Sequence, residues 1–273
     1  MVGAVIVHDG HIIGEGWHRS YGGPHAEVNA VGSVSSADEA LLAESTIYVS
    51  LEPCSHYGKT PPCAELLIRK GFKRVVVGSL DPNEKVSGRG IEALRQSGAE
   101  VVVGVLEKEC LWLNRKFMTY HRLHRPYITL KWAESADGFI DRCRKSADDG
   151  PAVRFSTPWT QMLVHKLRAT HEAILVGHRT WELDRPSLTT RAWPGKDPKR
   201  MVLTSGTFDN LVYEQKVQSI LVEGGAKTLQ AFIDADLWDE AYIERSDIVL
   251  GSGIKAPEMK TDLKGRPVHV NFA

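Results

Sequence analysis

The chain has 273 residues, of which 42% are hydrophobic and 25% charged, and its 34 basic residues balance 34 acidic ones. This is a globular composition, which excludes disorder, collagen and coiled coil as descriptions of the whole chain. Zero net charge and the lack of an apolar run of roughly 18 residues argue against nucleic-acid and membrane partners. Four cysteines are too few for a secreted disulfide scaffold. We therefore expect a soluble, cytoplasmic protein of two domains.

Strand and helix signals alternate through the first half of the chain. The segments 1–7 and 11–17 predict a hairpin, because Asp9-Gly10 between two apolar runs favours a tight turn. The valine runs at 75–77 and 101–103 are continuous, which is typical of strands covered by helices on both faces. The other predicted elements are helices at 24–34, 63–70, 90–96 and 106–121 and strands at 46–51, 74–78 and 100–105.

A second alternation begins after a short basic segment, 121–126, that ends in proline. This segment predicts a linker between domains at 1–122 and 127–273. Ser156 and Thr157 before Pro158 predict the start of a helix, with a capping hydroxyl followed by proline in the first turn. The elements predicted here are helices at 158–171 and 227–237 and strands at 127–133, 173–177, 200–204, 219–223 and 241–250.

His25, Cys54 and Cys63 form the strongest chemical pattern of the sequence. One imidazole and two thiolates supply three zinc ligands and leave a fourth tetrahedral position for water, as in a catalytic site. Glu27 lies two residues after His25, near enough to move a proton without serving as a ligand. The order H-x-E followed by P-C is typical of zinc-dependent nucleobase deaminases. Prolines before His25 and Cys63 place both ligands at helix starts, where the helix dipole favours a thiolate.

Each part of this pattern has a simpler interpretation when taken alone. An isolated H-x-E arises easily by chance, and two cysteines of a cytoplasmic protein could be buried apolar residues. The order of the residues, each at a strand-to-helix junction, favours a catalytic zinc site. Cys110 and Cys143 have no partners of this kind, and we interpret them as structural or incidental thiols.

Eight residues separate the two cysteines, whereas cytidine-type sites have two. The segment 52–63 (EPCSHYGKTPPC), with HAEV upstream and DPN and GRG downstream, resembles the deaminase domain of the bifunctional riboflavin-biosynthesis deaminase–reductase family. The resemblance implies an α/β/α cytidine-deaminase-like domain. A solvated lysine at 59 and an exposed structural histidine at 18 remain the alternatives for two of its residues. The substrate-binding residues that it implies are His18, His56, Lys59, Asp81 and Asn83.

The second half is similar to the reductase domain of the same family, through YITLK at 127–131, SADG at 135–138 and LVEGG at 221–225. The resemblance implies an α/β domain with a dihydrofolate-reductase-like fold. The glycine pair enters the helix predicted at Lys227, so backbone N–H groups and a helix start face one point, as in a site for a pyrophosphate. Without the resemblance, a plain turn and helix cap would be the better interpretation.

The resemblance also implies the residues of the reductase site. Lys131, Asp184 and Glu223 surround the reacting ribose, and Arg168 and Arg191 hold its phosphate, although Arg168 could instead be a surface ion-pair partner. Leu188 also contacts the substrate. The residues implied for the cofactor are Arg154, Ser156, Thr157, Thr180, Asp184, Thr204, Gly224, Gly225, Ala226, Lys227 and Thr228.

Three features depart from the family pattern. Relatives carry a helix and a P-N-P turn before V-G-A-V-I-V, whereas this chain starts at Met1-Val2-Gly3. Arg154-Phe155 stands where many members have a tryptophan. Arg191 and Glu223 are closer in sequence than the family's intervening strands lead us to expect.

The sequence thus predicts a bifunctional enzyme that uses Zn²⁺ and NADPH. One domain would deaminate 2,5-diamino-6-(5-phosphoribosylamino)pyrimidin-4-one, and the other would reduce the ribosyl group of the product to ribityl. We expect a homo-oligomer with a small-molecule substrate. One alternative is a tRNA or cytidine-type deaminase with an unrelated second domain, which the cysteine spacing and LVEGG disfavour. The other is a non-catalytic zinc module, which would leave Glu27 without a role.

Overall fold

The computed structural model describes residues 1–20, 22–57, 61–83, 87–204, 216–259 and 262–272. Two compact units make up the chain, Met1–Arg122 and Leu123–Ala273. Among the described residues, no helix has the length and apolar character needed to cross a bilayer. Lys59, a predicted substrate contact, lies outside the described residues.

The first unit is built on a five-stranded sheet in the order β2-β1-β3-β4-β5. β1 runs antiparallel to both of its neighbours, whereas β3, β4 and β5 are parallel. Asp9 and Gly10 both have positive φ, as the predicted hairpin turn requires. The strands are β1 (Gly3–His8), β2 (His11–Trp17), β3 (Thr46–Val49), β4 (Arg74–Val77) and β5 (Glu100–Val103).

Helices flank this sheet and bury an aliphatic core that includes Ile6, Ile47 and Val75. The valines of β4 are buried, but those of β5 are only half-buried because β5 is the edge strand of the described sheet. The helices are α1 (Ala26–Ser33), α2 (Cys63–Arg69), α3 (Arg89–Gln96), α4 (Glu107–Leu113) and α5 (Arg115–Leu123), with a 3-10 helix at Glu39–Glu44.

The single helix predicted over 106–121 is wrong. The structure has two helices, α4 and α5, separated at Asn114, whose φ and ψ of −101° and 14° lie outside the helical range. Asparagine is a weak residue for a helix interior, because its side chain competes for nearby backbone groups. The apolar periodicity continues across this residue and conceals the break.

Gly16 of β2 allows the sheet to approach α1, the helix that follows His25. A Cβ at this position would lie 2.3 Å from the Ala30 backbone nitrogen and 2.7 Å from the Ala26 carbonyl oxygen. We expect Gly16→Ala to lower the free energy of unfolding by about 1–3 kcal/mol, the usual effect of overpacking. Urea denaturation of the two proteins measures the difference.

Gly32 of α1 is the matched control for this substitution. Apart from Gly32, its chain neighbours and the backbone of its own helix, no heavy atom of the described residues lies within 4 Å of a Cβ built there. Gly32→Ala should therefore leave stability unchanged or raise it by about 0.5–1 kcal/mol. Equal stabilities of the Gly16→Ala and Gly32→Ala proteins would refute the role of Gly16 as a contact point between β2 and α1.

The second unit contains a six-stranded parallel sheet in the order β13-β11-β6-β10-β8-β9. Its core lies around Ile128, Leu175 and Phe232. β7 and β12 form a separate two-stranded antiparallel sheet. The strands are β6 (Tyr127–Glu134), β7 (Phe139–Asp141), β8 (Ala173–Gly177), β9 (Lys199–Leu203), β10 (Ser219–Val222), β11 (Glu240–Arg245), β12 (Ile254–Lys255) and β13 (Val268–Phe272).

The helices of this unit are α6 (Pro158–Ala169), α7 (His178–Asp184) and α8 (Ala226–Asp234), with a 3-10 helix at Ala147–Asp149. Parallel strands bring their carboxyl ends to one edge of the sheet, which is where ligands of such sheets bind. The strand predicted over 241–250 ends earlier, at Arg245. At the end of the predicted range, the backbone N–H groups of Leu250 and Gly251 donate to the Asp137 carboxylate rather than to a neighbouring strand.

Candidate metal centre and reductase site

The three predicted zinc ligands come together in the first unit. His25 is the residue before α1, Cys54 follows β3, and Cys63 is the first residue of α2. The backbone N–H of Cys63 donates to the Cys54 sulfur over 3.3 Å, and the N–H of Ala64 donates to the Cys54 carbonyl. These bonds fold the 52–54 segment over the start of α2 and hold both sulfur atoms beside the imidazole.

The spacing of these atoms fits a zinc ion. His25 Nδ1 lies 3.5 Å from Cys54 Sγ and 3.3 Å from Cys63 Sγ, and all three atoms lie within 4.8 Å of one another. A tetrahedral ion with bonds of about 2.0–2.3 Å holds its ligand atoms about 3.5 Å apart. Three such ligands leave one position for water, which is the composition of a catalytic site.

The side chains of Cys54 and Cys63 interact strongly with each other. The hydrogen bond from Cys63 lowers the pKa of Cys54 to about 4, and the imidazole of His25 acts in the same direction. One sulfur of the pair is therefore a thiolate at neutral pH, the form in which cysteine binds a metal.

Glu27 lies in the first turn of α1 and is 3% exposed. Burial raises the pKa of its carboxyl group, and the charge of Cys54 adds to this effect. Glu27 also interacts with the Cys63 side chain, so its carboxylate lies next to the ligand set. The structure thus brings a buried proton-transfer group to the candidate metal centre.

Glu52 is a site residue whose role the sequence analysis missed. Its buried carboxylate accepts hydrogen bonds from the backbone N–H groups of Asp81, Gly88 and Gly90 over 3.0–3.3 Å. It thereby ties the segment that carries Cys54 to the loop that carries Asp81. The sequence signal for this role was a glutamate placed between an apolar strand and Pro53-Cys54. The groups that form hydrogen bonds with it lie far along the chain, so the sequence did not reveal them.

Of the other predicted deaminase residues that the structure describes, only some have contacts that connect them to the metal centre. The His18 ring lies edge-on to the His25 ring, with centroids 5.5 Å apart, and its Nδ1 is 3.1 Å from the Pro24 carbonyl oxygen. Asp81 Oδ1 accepts from the Asn83 backbone N–H at 2.8 Å, which orders their loop. His56 is exposed, and among the described residues no contact of its side chain places it at the metal centre.

In the second unit, Arg168 and Glu223 bind each other. The Arg168 Nε and Nη2 atoms donate to the two Glu223 oxygens over 2.8 and 2.6 Å, and Nη1 donates to the Thr189 carbonyl. Both side chains are largely buried, at 12% and 8% exposure. The ion pair joins α6 to the end of β10, 55 residues apart in sequence.

The other two residues predicted around the ribose have ionic partners of their own. Lys131 Nζ lies 3.6 Å from a Glu244 oxygen. Asp184 accepts from Arg144 at 2.5 Å, and the same buried guanidinium group binds Asp141. Each of the three residues predicted around the ribose therefore belongs to a separate ion pair.

The predicted cofactor turn is built from close backbone contacts. Gly225 has a φ of 70° and precedes α8, and a Cβ on it would lie 3.0 Å from Thr180 Oγ1. A Cβ on Gly177 would lie 2.4 Å from Thr228 Oγ1. Glycine is thus required where β8 and β10 meet the start of α8, whose first residues are Ala226, Lys227 and Thr228. This cradle fits a pyrophosphate at a helix start.

A cavity of about 740 Å³ has Arg154 and Asp184 in its lining, together with Gly150, Pro151 and Leu183. Two of the predicted cofactor residues therefore share one space. The Ser156 hydroxyl donates to Glu244, whereas the Thr157 hydroxyl caps α6 by accepting from the Thr160 backbone N–H.

Leu188, Arg191 and Thr204 are also absent from this cavity's described lining. Leu188 is buried with a φ of 51°. Arg191 is exposed, and its Nη1 donates to the Ser187 and Thr189 hydroxyls. Thr204 is exposed and follows β9.

Comparison with known proteins gives two family matches. The cytidine and deoxycytidylate deaminase zinc-binding region matches residues 1–79, which contain His25, Glu27, Cys54 and Cys63. The RibD C-terminal domain matches residues 126–211 and ends before Glu223.

Curated relatives extend the similarity over nearly the whole chain. Riboflavin biosynthesis protein RibD of Aquifex aeolicus is 45% identical and covers 94% of this chain and 83% of its own length. The chain belongs to the RibD family. RibD of Bacillus amyloliquefaciens is 37% identical over 96% of this chain and 66% of its own length. The alignment with the Aquifex protein runs over 306 positions, so that relative has segments without a counterpart in the 273 residues here.

A solved structure agrees with this membership. The diaminohydroxyphosphoribosylaminopyrimidine deaminase/5-amino-6-(5-phosphoribosylamino)uracil reductase of Thermotoga maritima superposes with a TM-score of 0.85 at 35% identity. The match covers 97% of this chain and 86% of that one. The predicted fold class is confirmed, namely a cytidine-deaminase-like domain followed by a dihydrofolate-reductase-like domain. The predicted class of enzyme is confirmed too: a deaminase–reductase of riboflavin biosynthesis with zinc and NADPH as cofactors.

Proposed function

We propose that the first unit hydrolytically deaminates 2,5-diamino-6-(5-phosphoribosylamino)pyrimidin-4-one and that the second reduces the ribosyl group of the resulting uracil to ribityl. The observation that carries the proposal is the convergence of His25, Cys54 and Cys63 beside the buried Glu27 carboxylate. The substrate class follows from the two activities of the similar Thermotoga maritima protein, which act on phosphoribosylaminopyrimidines.

In the deaminase unit, His25, Cys54 and Cys63 would hold the zinc ion, which supplies a Lewis acid that activates water. Glu27 takes a proton from the attacking water and delivers it to the departing amine. The C–N bond of the ring carbon breaks, ammonia leaves, and a carbonyl group replaces the amine. Burial excludes bulk water from Glu27, so the proton passes between reacting groups rather than to solvent.

Glu52 holds the loop that carries Asp81 next to the segment that carries Cys54. Its carboxylate accepts hydrogen bonds from backbone N–H groups at both ends of that loop. Asp81 and Asn83 would contact the substrate from this loop. His18, which lies against the His25 ring, would contact the pyrimidine. His56 and Lys59, in the segment between the cysteines, would line the pocket and meet the substrate phosphate.

In the reductase unit, the Gly224-Gly225 turn would hold the cofactor pyrophosphate, and NADPH supplies the hydride when bound. Lys131 places a positive charge and a proton donor beside the sugar carbon that is reduced. Glu223 would bind the sugar hydroxyls, and Arg168 fixes its carboxylate in position. Because all three Arg168 nitrogens have partners in the protein, we assign the sugar phosphate first to Arg191. Leu188 would pack against the substrate.

The test is a substrate comparison on the full-length protein loaded with zinc. Ammonia release should be fast with the phosphoribosyl diaminopyrimidine and undetectable with cytidine. NADPH should then be oxidised only when the deaminated product is present. Ammonia release from cytidine without any later NADPH oxidation would instead favour a cytidine-type deaminase with an unrelated second domain.

Arg154 is the residue expected to select NADPH over NADH. It is exposed in the lining of the cavity that it shares with Asp184, and a guanidinium group suits the 2′-phosphate of NADPH. We expect kcat/KM with NADPH to exceed that with NADH at least tenfold, the effect of one charge-assisted hydrogen bond of about 1.5 kcal/mol. Arg154→Glu should narrow or invert this ratio.

Arg142→Glu makes the same change of charge at an exposed residue that does not line the cavity. It should leave the nucleotide ratio unchanged. If the parent enzyme has equal kcat/KM values with NADPH and with NADH, the predicted preference for NADPH is refuted. A ratio that stays the same in Arg154→Glu would show that another residue reads the 2′-phosphate.

We also propose that the enzyme acts in the cytoplasm as a homo-oligomer. The free thiols of Cys54 and Cys63, needed as ligands, are suited to a reducing compartment. Exposed apolar side chains around α4, including Leu106, Trp112 and Leu113, offer surface for self-association. Light scattering of the purified protein measures its oligomeric state.

A further inference from the structure

Glu244 is a buried carboxylate in the reductase unit that the sequence analysis did not single out. It lies on β11, and its side chain is 5% exposed. Its Oε2 atom accepts the Ser156 hydroxyl at 2.7 Å and lies 3.6 Å from Lys131 Nζ. Its Oε1 atom is buried and has no hydrogen-bond partner within the described part of the chain.

The strand register explains why Glu244 meets Lys131. Tyr242 of β11 pairs with Lys131 of β6, and Glu244 lies two residues further along β11. Side chains two residues apart point to the same face of a strand, and diagonal neighbours on paired strands are within reach of long side chains. Glu244 and Lys131 therefore share one face of the sheet near the carboxyl ends of β6 and β11.

Glu134 shows what a carboxylate that serves the fold looks like in the same sheet. It is the last residue of β6 and pairs with Arg245, on the opposite face from Glu244. One of its oxygens accepts from Trp132 Nε1 at 2.9 Å and the other from Arg245 Nε at 2.8 Å. Both oxygens are satisfied, in contrast to those of Glu244.

A carboxylate buried with one oxygen unpaired destabilises the folded state, since desolvation is not offset by hydrogen bonds. Stability therefore does not account for Glu244. Its two contacts are with Lys131 and Ser156, which belong to the predicted catalytic and cofactor sets.

We propose that Glu244 is a positioning residue of the reductase site: it holds the Lys131 ammonium group and the Ser156 hydroxyl in the arrangement that hydride transfer requires. The proposal rests on the proposed function of Lys131. Glu244 acts through Lys131, so its removal should be felt as a loss of kcat for reduction rather than as weaker binding of NADPH.

The experiment is a double-mutant cycle of Glu244→Gln and Lys131→Met, measured on reduction of pre-deaminated substrate. Glutamine keeps the shape and an acceptor for Ser156 but removes the charge next to Lys131. We expect Glu244→Gln to lower kcat about 10- to 100-fold, because it removes one charge of the buried ion pair that holds Lys131, with the KM for NADPH within about twofold. In the Lys131→Met background, Glu244→Gln should cause no further loss.

Glu134→Gln is the matched control. It replaces a buried carboxylate of the neighbouring strand, breaks the contact with Arg245, and does not touch Lys131. It should lower the melting temperature but leave kcat unchanged, whereas Glu244→Gln should keep or raise the melting temperature. Deamination, carried out by the other unit, should be normal in both proteins, and far-UV circular dichroism of each variant reports whether the second unit has folded.

The outcomes separate this proposal from the proposed function. If Lys131→Met reduces the sugar normally, the proposed role of Lys131 fails. If Lys131→Met is impaired but Glu244→Gln is silent, or if the two losses multiply in the double variant, the role of Lys131 stands and the positioning role of Glu244 is refuted.

Discussion

Replacing Glu27 with glutamine is expected to lower kcat/KM for deamination by about 10²–10⁴-fold while zinc remains bound. The range is that of lost general acid–base catalysis. Glutamine has the same shape, so it preserves the packing of this 3%-exposed position at the start of α1. It cannot carry the proton from water to the leaving amine. Ammonia release and zinc content of the same preparation measure the two effects.

Glu65→Gln is the control for this substitution. Glu65 lies in the first turn of α2, as Glu27 lies in the first turn of α1, but it is exposed and its carboxylate accepts the Tyr57 hydroxyl. Deamination should be close to normal in this variant. Reduction of pre-deaminated substrate should be normal in both. Near-normal deamination by Glu27→Gln, or loss of zinc from it, would contradict the assignment of Glu27 as the proton carrier.

The metal centre could be predicted from the sequence because each of its parts is local. Prolines set the helix starts next to His25 and Cys63, and Glu27 is two residues from His25. The sequence order of such short segments already fixes the ligand types and the carboxylate that accompanies them. The strands that follow these segments are parallel, so they bring the segments together at one edge of the sheet.

The reductase site depended on contacts that no short segment contains. Arg168 was expected to face a phosphate, but the structure pairs it with Glu223, 55 residues away. Asp184 likewise meets Arg144 across 40 residues. The sequence showed the charges but not their partners, because partners on different elements depend on how helices and strands pack.

Burial of polar residues was the least predictable feature. Glu52, Glu134 and Glu244 are all buried, although glutamate is ordinarily a surface residue. Glu52 is satisfied by backbone N–H groups and Glu134 by side chains, whereas one oxygen of Glu244 has no hydrogen-bond partner among the described residues. The register between β6 and β11 places Glu244 near Lys131. Strand register is set by the whole sheet, so a single segment carries no signal for it.

Removal of zinc with a chelator is expected to abolish deamination and to leave NADPH oxidation with pre-deaminated substrate within about twofold of its normal rate. Within the described parts of the chain, His25, Cys54 and Cys63 are the one group with metal-ligand geometry, and all three belong to the first unit. Soft sulfur ligands favour zinc, and the reductase residues offer no comparable set. A thiol reductant must be present, because freed thiolates oxidise readily.

Zinc returned to the depleted protein should restore deamination, whereas Mg²⁺ should not, because magnesium prefers oxygen ligands. Far-UV circular dichroism before and after chelation reports whether the fold survives. If the fold is intact and both reactions stop, the reductase also depends on the metal and the division into two independent sites is wrong. If deamination continues at zero zinc content, Glu27 and the thiol pair must act without a metal, and the interpretation of His25, Cys54 and Cys63 as ligands fails.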